Sequence, residues 1–139
     1  MFAIVTHLTP QLRLRHFVEW AWIGIFLLSC AGVGYFAFGP PPEGLGPGED
    51  KIQHGLTFFV LTILGVRAFP RVGVAGVAVG LCAGGVGIEI IQGLPLVHRD
   101  ADLADVGADV IGVVAAVFLL GALFGAWALV RRIVGRAPD

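Results

Sequence analysis

Four long apolar runs divide the chain, at about residues 17–38, 52–69, 72–93 and 106–130, and short polar clusters separate them. A helical rise of 1.5 Å per residue gives these runs spans of roughly 27–38 Å, against a bilayer hydrocarbon core of about 30 Å. Lipid offers no partner to exposed backbone groups, so each run is expected to be a helix. The connections carry the breakers. Gly39 to Gly48 is dense in Gly and Pro. Arg67-Ala68-Phe69-Pro70-Arg71 reads as a tight turn, and Gly93 and Pro95 stop the third run. The expected fold is all-α: one polytopic domain over residues 1–139, a bundle of four transmembrane helices with no repeat and no soluble domain.

Composition agrees. Hydrophobic residues make up 57% of the chain and charged residues 14%, with a mean hydropathy of +0.89; soluble domains carry about 25% charge. A net charge of −1 gives no sign of a nucleic-acid partner. The distribution of charge is more informative. Arg13, Arg15, Arg67, Arg71, Arg131, Arg132 and Arg136 fall on one side of a four-helix path, and only Lys51 and Arg99 on the other. The positive-inside rule then places both termini in the cytoplasm. Leu27-Leu28-Ser29-Cys30 has the look of a lipoprotein cleavage box. However, Glu19 interrupts the apolar core that such a signal needs, and the apolar run continues to Phe38. Cys30 and Cys82 lie in apolar runs with no metal-ligand spacing and are read as packing residues.

Gly76, Gly80 and Gly84 recur every fourth residue in the third run. Such a stripe suits close packing within the chain, or a homo-oligomer face.

The remaining polar residues gather at the outer level. Asp50, Lys51 and His54 begin helix two, Glu89 and Gln92 end helix three, and Arg99, Asp102, Asp105 and Asp109 lead into helix four. Asp50 and His54 share a helix face, as do Glu89 and Gln92, and Asp102, Asp105, Asp109 and Gly112 form one stripe. Asp50 and Asp102 also read as helix caps, and Asp105 as first-turn dipole compensation. Glu89 lies near a helix C-terminus, where the dipole opposes a negative charge; it therefore needs a proton or a partner, with Arg99, Lys51, His54 or a cation in reach. Ionisable groups at this depth usually face a bundle interior, paired or functional. His54, Glu89, Asp105 and Asp109 are the candidate catalytic groups; Asp50, Lys51, Gln92, Arg99 and Asp102 are the candidate ligand-binding groups. The excess of carboxylates also suits a divalent cation, Mg²⁺ or Ca²⁺, held by Glu89, Asp105 and Asp109.

These residues resemble the signatures of the VanZ family. Asp50-Lys51-Ile52-Gln53-His54 is similar to its DK-x-x-H, Glu89-Ile90-Ile91-Gln92 to its E-x-x-Q, and Arg99 through Asp105, Asp109 and Gly112 to its R-x-x-S-x-x-D-x-x-x-N-x-x-G. Asp102 stands where that family has Ser and Asp109 where it has Asn, which makes this version more acidic. The resemblance implies a bacterial cell-membrane protein of a family named for a glycopeptide-resistance protein, and it supplies no reaction. Three functions are expected, in this order. The first is an enzyme acting on an envelope lipid, a lipid-linked glycan or a glycopeptide, with Arg99 and Lys51 binding an anionic group. The second is a non-catalytic subunit that holds a lipid headgroup, an antibiotic or another membrane protein. The third is a small carrier, against which stands the lack of any helix broken at the midplane. No nucleophile elbow, phosphate-cradling loop or facing histidine pair is present; His7, His16 and His98 lie near helix ends or in loops.

Overall fold

The computed structural model describes residues 10–39, 46–97 and 99–135. They form four helices: α1 (Pro10–Phe38), α2 (Pro47–Ala68), α3 (Gly73–Gln92) and α4 (Leu103–Val134). There is no strand among the described residues. His7, His98, Arg136 and most of the Pro-rich connection between α1 and α2 lie outside them.

The helices overrun the apolar windows. α1 begins at Pro10 and so includes Arg13 and Arg15, and α4 continues to Val134 past Arg131 and Arg132. Hydropathy marks where lipid contacts a helix, whereas hydrogen bonding continues until a capping signal stops it. At 29 and 32 residues, α1 and α4 exceed what a hydrocarbon core of about 30 Å requires. α2 starts five residues before its window because Gly46 is the N-cap, proline takes the first turn, and Glu49 Oε2 accepts from the Gly46 N–H at 3.2 Å. Asp50 is therefore the fourth residue of α2 and not its cap.

α1, α3 and α4 are long and apolar enough to cross a membrane. α2 is less apolar because Glu49, Asp50, Lys51, Gln53 and His54 load its first turns. It is also the innermost helix: Phe58, Leu61, Thr62, Gly65 and Ala68 are buried along it. Polarity runs opposite to that of a water-soluble protein. Leu28, Phe36, Val79, Ile111 and Phe118 are exposed on the outside, while Thr62, Glu89, Gln92, Asp105 and Asp109 are buried. Water would reverse both sets, so the solvent for this surface is lipid. The protein is a membrane protein built as a four-helix bundle.

The helices run up, down, up, down. Phe26 of α1 meets Phe69 at the far end of α2, edge to face at 5.4 Å, and Arg67 lies 5.2 Å from the ring centroid of Trp22. At the other end, Gln92 of α3 donates to the carbonyl of Ala37 at 2.9 Å. The turn from α2 to α3 closes through Val72 N–H to Phe69 O at 3.0 Å and needs a left-handed residue, Gly73 at φ 75°.

α2 and α4 are parallel and touch backbone to backbone. A Cβ on Gly112 would overlap the Gly55 carbonyl oxygen and approach the Phe59 amide nitrogen to 3.0 Å. Gly85 of α3 makes room for Asp109, whose Oδ2 would lie 2.6 Å from a Cβ there. The stripe of Gly76, Gly80 and Gly84 behaves otherwise. All three are exposed; a Cβ on Gly80 or Gly84 meets nothing within 4 Å, and one on Gly76 meets only Val72. The expectation that this stripe packs within the chain is corrected: Gly55, Gly65, Gly85 and Gly112 do that work, and the stripe faces outward.

Candidate functional site

The end of the bundle where α2 and α4 begin, and α1 and α3 finish, collects the three motifs. Parallel α2 and α4 bring Asp50-Lys51-His54 beside Asp102-Asp105-Asp109, and antiparallel α3 delivers Glu89 and Gln92 to the same level.

Lys51 lies at the rim. Its Nζ donates to Asp102 Oδ2 at 2.6 Å and to Asp105 Oδ1, and lies 3.8 Å from Asp50 Oδ2. Its hydrogen bonds to Asp102 and then Asp105 raise the Lys51 pKa above the usual ammonium range. The same Lys51 bond, followed by the Ala104 amide, lowers the Asp102 carboxyl. Asp102 Oδ1 accepts from Ala104 N–H at 2.8 Å, so Asp102 caps α4 as expected while tying it to α2. Asp105 is the third helical residue, also as expected.

Deeper lies His54. Its Nδ1 is 3.0 Å from Asp109 Oδ1, and its Nε2 is 3.9 Å from Asp105 Oδ2. Asp109 is only 2% exposed. An ionised Asp109 accepts from Nδ1–H and so fixes the tautomer with Nε2 as the free base atom. Glu89 is buried and has none of the partners expected from sequence. Its Oε2 accepts from the backbone N–H of Asp102 at 2.7 Å, and its Oε1 is buried with no hydrogen-bond partner. A side chain thus satisfies a main-chain donor at the start of another helix, which no side-chain motif encodes.

Arg99 and Gln92 also differ from expectation. Arg99 donates through Nε to Gly39 O at 3.1 Å and through Nη2 to Phe36 O at 2.8 Å, beside the Gln92 bond to Ala37 O. Both satisfy the open carbonyls at the end of α1. Lys51, committed to Asp102 and Asp105, is likewise no free anion binder.

Two cavities meet at this end. One, about 510 Å³, lies between α1, α2 and α3, with apolar walls that include Gly32, Val33, Phe36, Phe58 and Ile88. The other, about 320 Å³, is polar, lined by Lys51, Asp100, Asp102 and Asp105. Asp50, His54, Gln92 and Arg99 line both. Of the four candidate catalytic residues, His54 and Asp105 line a cavity; Asp109 stands behind His54, and Glu89 behind Asp102. The wall from α1, which includes Ser29 and Gly32, was not legible in sequence, since α1 carries no motif. The run of small residues Ser29-Cys30-Ala31-Gly32 between bulkier Leu28 and Val33 was the only signal.

Among the described residues, those whose donor atoms converge within 4.8 Å of one another are Asp50, His54 and Asp105. This is not the expected set of Glu89, Asp105 and Asp109, because Glu89 Oε2 is bonded to Asp102 and Asp109 Oδ1 to His54. The imidazole in this set departs from the all-oxygen donors that Mg²⁺ or Ca²⁺ takes, and Lys51 already supplies a positive charge beside Asp105. No family model, no curated protein and no solved structure matches the chain. The VanZ resemblance therefore stands on the three motifs alone.

Proposed function

We propose that the chain is a VanZ-like protein of the bacterial cell membrane, with both termini cytoplasmic and its polar end facing the cell exterior. There it acts on an envelope lipid, a lipid-linked glycan or a glycopeptide, with His54 as general acid–base. The observation that carries this reading is the His54–Asp109 pair at 3.0 Å, an imidazole oriented by a buried carboxylate and lining both cavities. A carboxylate on one ring nitrogen holds the other ready to take a proton from a hydroxyl or water bound in the cavity, and stabilises the imidazolium that forms. Asp109 and Glu89 act as positioning residues. The arginine asymmetry supports the orientation.

The second reading, a non-catalytic binding or partner subunit, is favoured by one observation: Arg99 and Gln92 hold α1 carbonyls and leave little machinery beyond His54. Purified protein incubated with total bacterial lipid extract, followed by mass spectrometry, separates the two. Catalysis predicts a product that falls by about 10²–10⁴-fold in His54→Ala, and falls in Asp109→Asn, with the fold retained. A lipid that is retained, unchanged and lost on mutation of His54 supports the binding subunit. Full turnover by folded His54→Ala and Glu89→Ala proteins ends the catalytic reading.

A further inference from the structure

The two cavities differ in chemistry and share four residues, which defines the shape of the ligand. The larger one, about 510 Å³ between α1, α2 and α3, lies within the range of about 300–1,000 Å³ that holds a single small-molecule ligand. Its walls away from the shared rim are mainly apolar. A Cβ on Gly32 in that wall meets nothing within 4 Å, so the space beside it is open. The smaller cavity, about 320 Å³, is walled by charge. Asp50, Asp100, Asp102 and Asp105 line it, against Lys51 and Arg99. Lys51 is bonded to Asp102 and Asp105, and two of the Arg99 donors are held by α1 carbonyls. Four carboxylates against two cations leave the chamber a formal excess of negative charge, with Asp100 and Asp50, the latter 3.8 Å from Lys51 Nζ, in its wall. Next to Asp102, buried Glu89 adds a carboxylate oxygen that has no partner. Neither chamber explains the other: an acidic vestibule needs no apolar annex, and a lipid-filled groove between helices needs no acidic mouth.

We infer that the two chambers together form a site for a single-chain amphiphile with a cationic, amine-bearing head, its hydrocarbon chain between α1, α2 and α3 and its head against Asp50. The junction of chain and head then lies at the rim shared by His54, Gln92 and Arg99. This inference rests on the reading of the polar end as a ligand site, and it narrows the ligand of that site by charge and chain number. It reverses the sequence-based expectation of an anionic head, because Lys51 is held by Asp102 and Asp105 and the carboxylates of the chamber outnumber its cations. A chamber of about 510 Å³ is of the size that one hydrocarbon chain fills, which sets the inferred chain number at one.

The test uses the full chain in detergent micelles and native mass spectrometry, with hexadecylamine, hexadecyl phosphate and a dihexadecyl amine as probes. The site predicts one hexadecylamine per chain, held at least about tenfold more tightly than either other probe. Gly32→Phe fills the chamber and is expected to lose at least about tenfold in hexadecylamine affinity, and Asp50→Asn to lose about tenfold in the preference for amine over phosphate. Circular dichroism and a monodisperse elution profile check that each variant is folded. Independently of any variant, a hexadecylamine carrying a diazirine on its chain should label Val33, Phe36 or Phe58 in the wild-type protein. Several molecules bound per chain with no response to Gly32→Phe, equal or tighter binding of the phosphate, or labelling spread over the outward faces of α3 and α4 would overturn the inference. Binding does not require His54 as a base. A lipid extract left unchanged by protein that binds hexadecylamine refutes the catalytic reading alone, and turnover without amine preference refutes this inference alone.

Discussion

His54 and Asp109 are 55 residues apart and meet at 3.0 Å. Each motif was legible, but the pairings between motifs were not, since a partner on another helix depends on which helices pack and in which direction. Glu89 illustrates the limit. Near a helix C-terminus its carboxylate needs a partner, yet that partner is the main-chain N–H of Asp102, and residue types carry no record of such a donor. Two predictions belong at this scale. Asp109→Ala removes the carboxylate partner of the half-buried His54, and loss of a hydrogen bond to a charged group costs about 1.5–3 kcal/mol, readable in denaturant unfolding in detergent. The bond of Lys51 to Asp102 sets a pH window. The folded-state pKa of Asp102 is depressed, so its contribution is present above the unfolded value of about 3.9 and fades as pH falls through the lower folded value. That of Lys51 is raised, so its contribution is complete below about 10.4 and fades as pH rises through the higher folded value. Thermal stability of wild type relative to Asp102→Ala should therefore be flat between about pH 4 and 10 and converge outside those limits. A difference confined to the neutral range would refute the assignment.

Among the elements, the windows located every helix but misplaced the ends. α1 and α4 extend through their arginines because a helix stops at a cap, not where hydropathy falls, and α2 starts at its Gly46 cap. Asp102 and Gly93 were legible because capping is local in sequence. The glycines were legible as a class but not by role. Gly76, Gly80 and Gly84 have the spacing of a packing stripe and face outward, whereas Gly112, noted only as a motif position, lies at the contact of α2 with α4. Gly112→Ala should destabilise the bundle by about 1–3 kcal/mol, because the colliding group is backbone and cannot rotate away. Gly80→Ala should be neutral or stabilising by up to about 1 kcal/mol through helix propensity alone. Equal effects of the two substitutions on unfolding would place the helix contact elsewhere.

For the molecule as a whole, the inverted polarity was fully legible: a chain 57% hydrophobic with clustered charge has to put its polar groups inside and its apolar groups in lipid. The cavity beside α1 was not, because it is a gap between surfaces whose residues carry no signature. The arginine asymmetry predicts that cysteines placed at residues 2 and 137 are both shielded from a membrane-impermeant thiol reagent added to intact cells, while one at residue 44 is labelled. Labelling of the termini alone would invert the protein and put the polar end in the cytoplasm.

The central claim is that polar residues distant in the sequence form one interacting site at the end of the bundle. A double-mutant cycle between His54→Ala and Asp109→Ala, read as unfolding free energy in one detergent, tests it most directly. Residues in direct contact should give a coupling of about 0.5–3 kcal/mol, whereas separated sites add to within about 0.3–0.5 kcal/mol. A coupling near or above 1 kcal/mol is the outcome predicted from a 3.0 Å pair around a carboxylate that is 2% exposed. Strict additivity in folded variants would contradict the site itself.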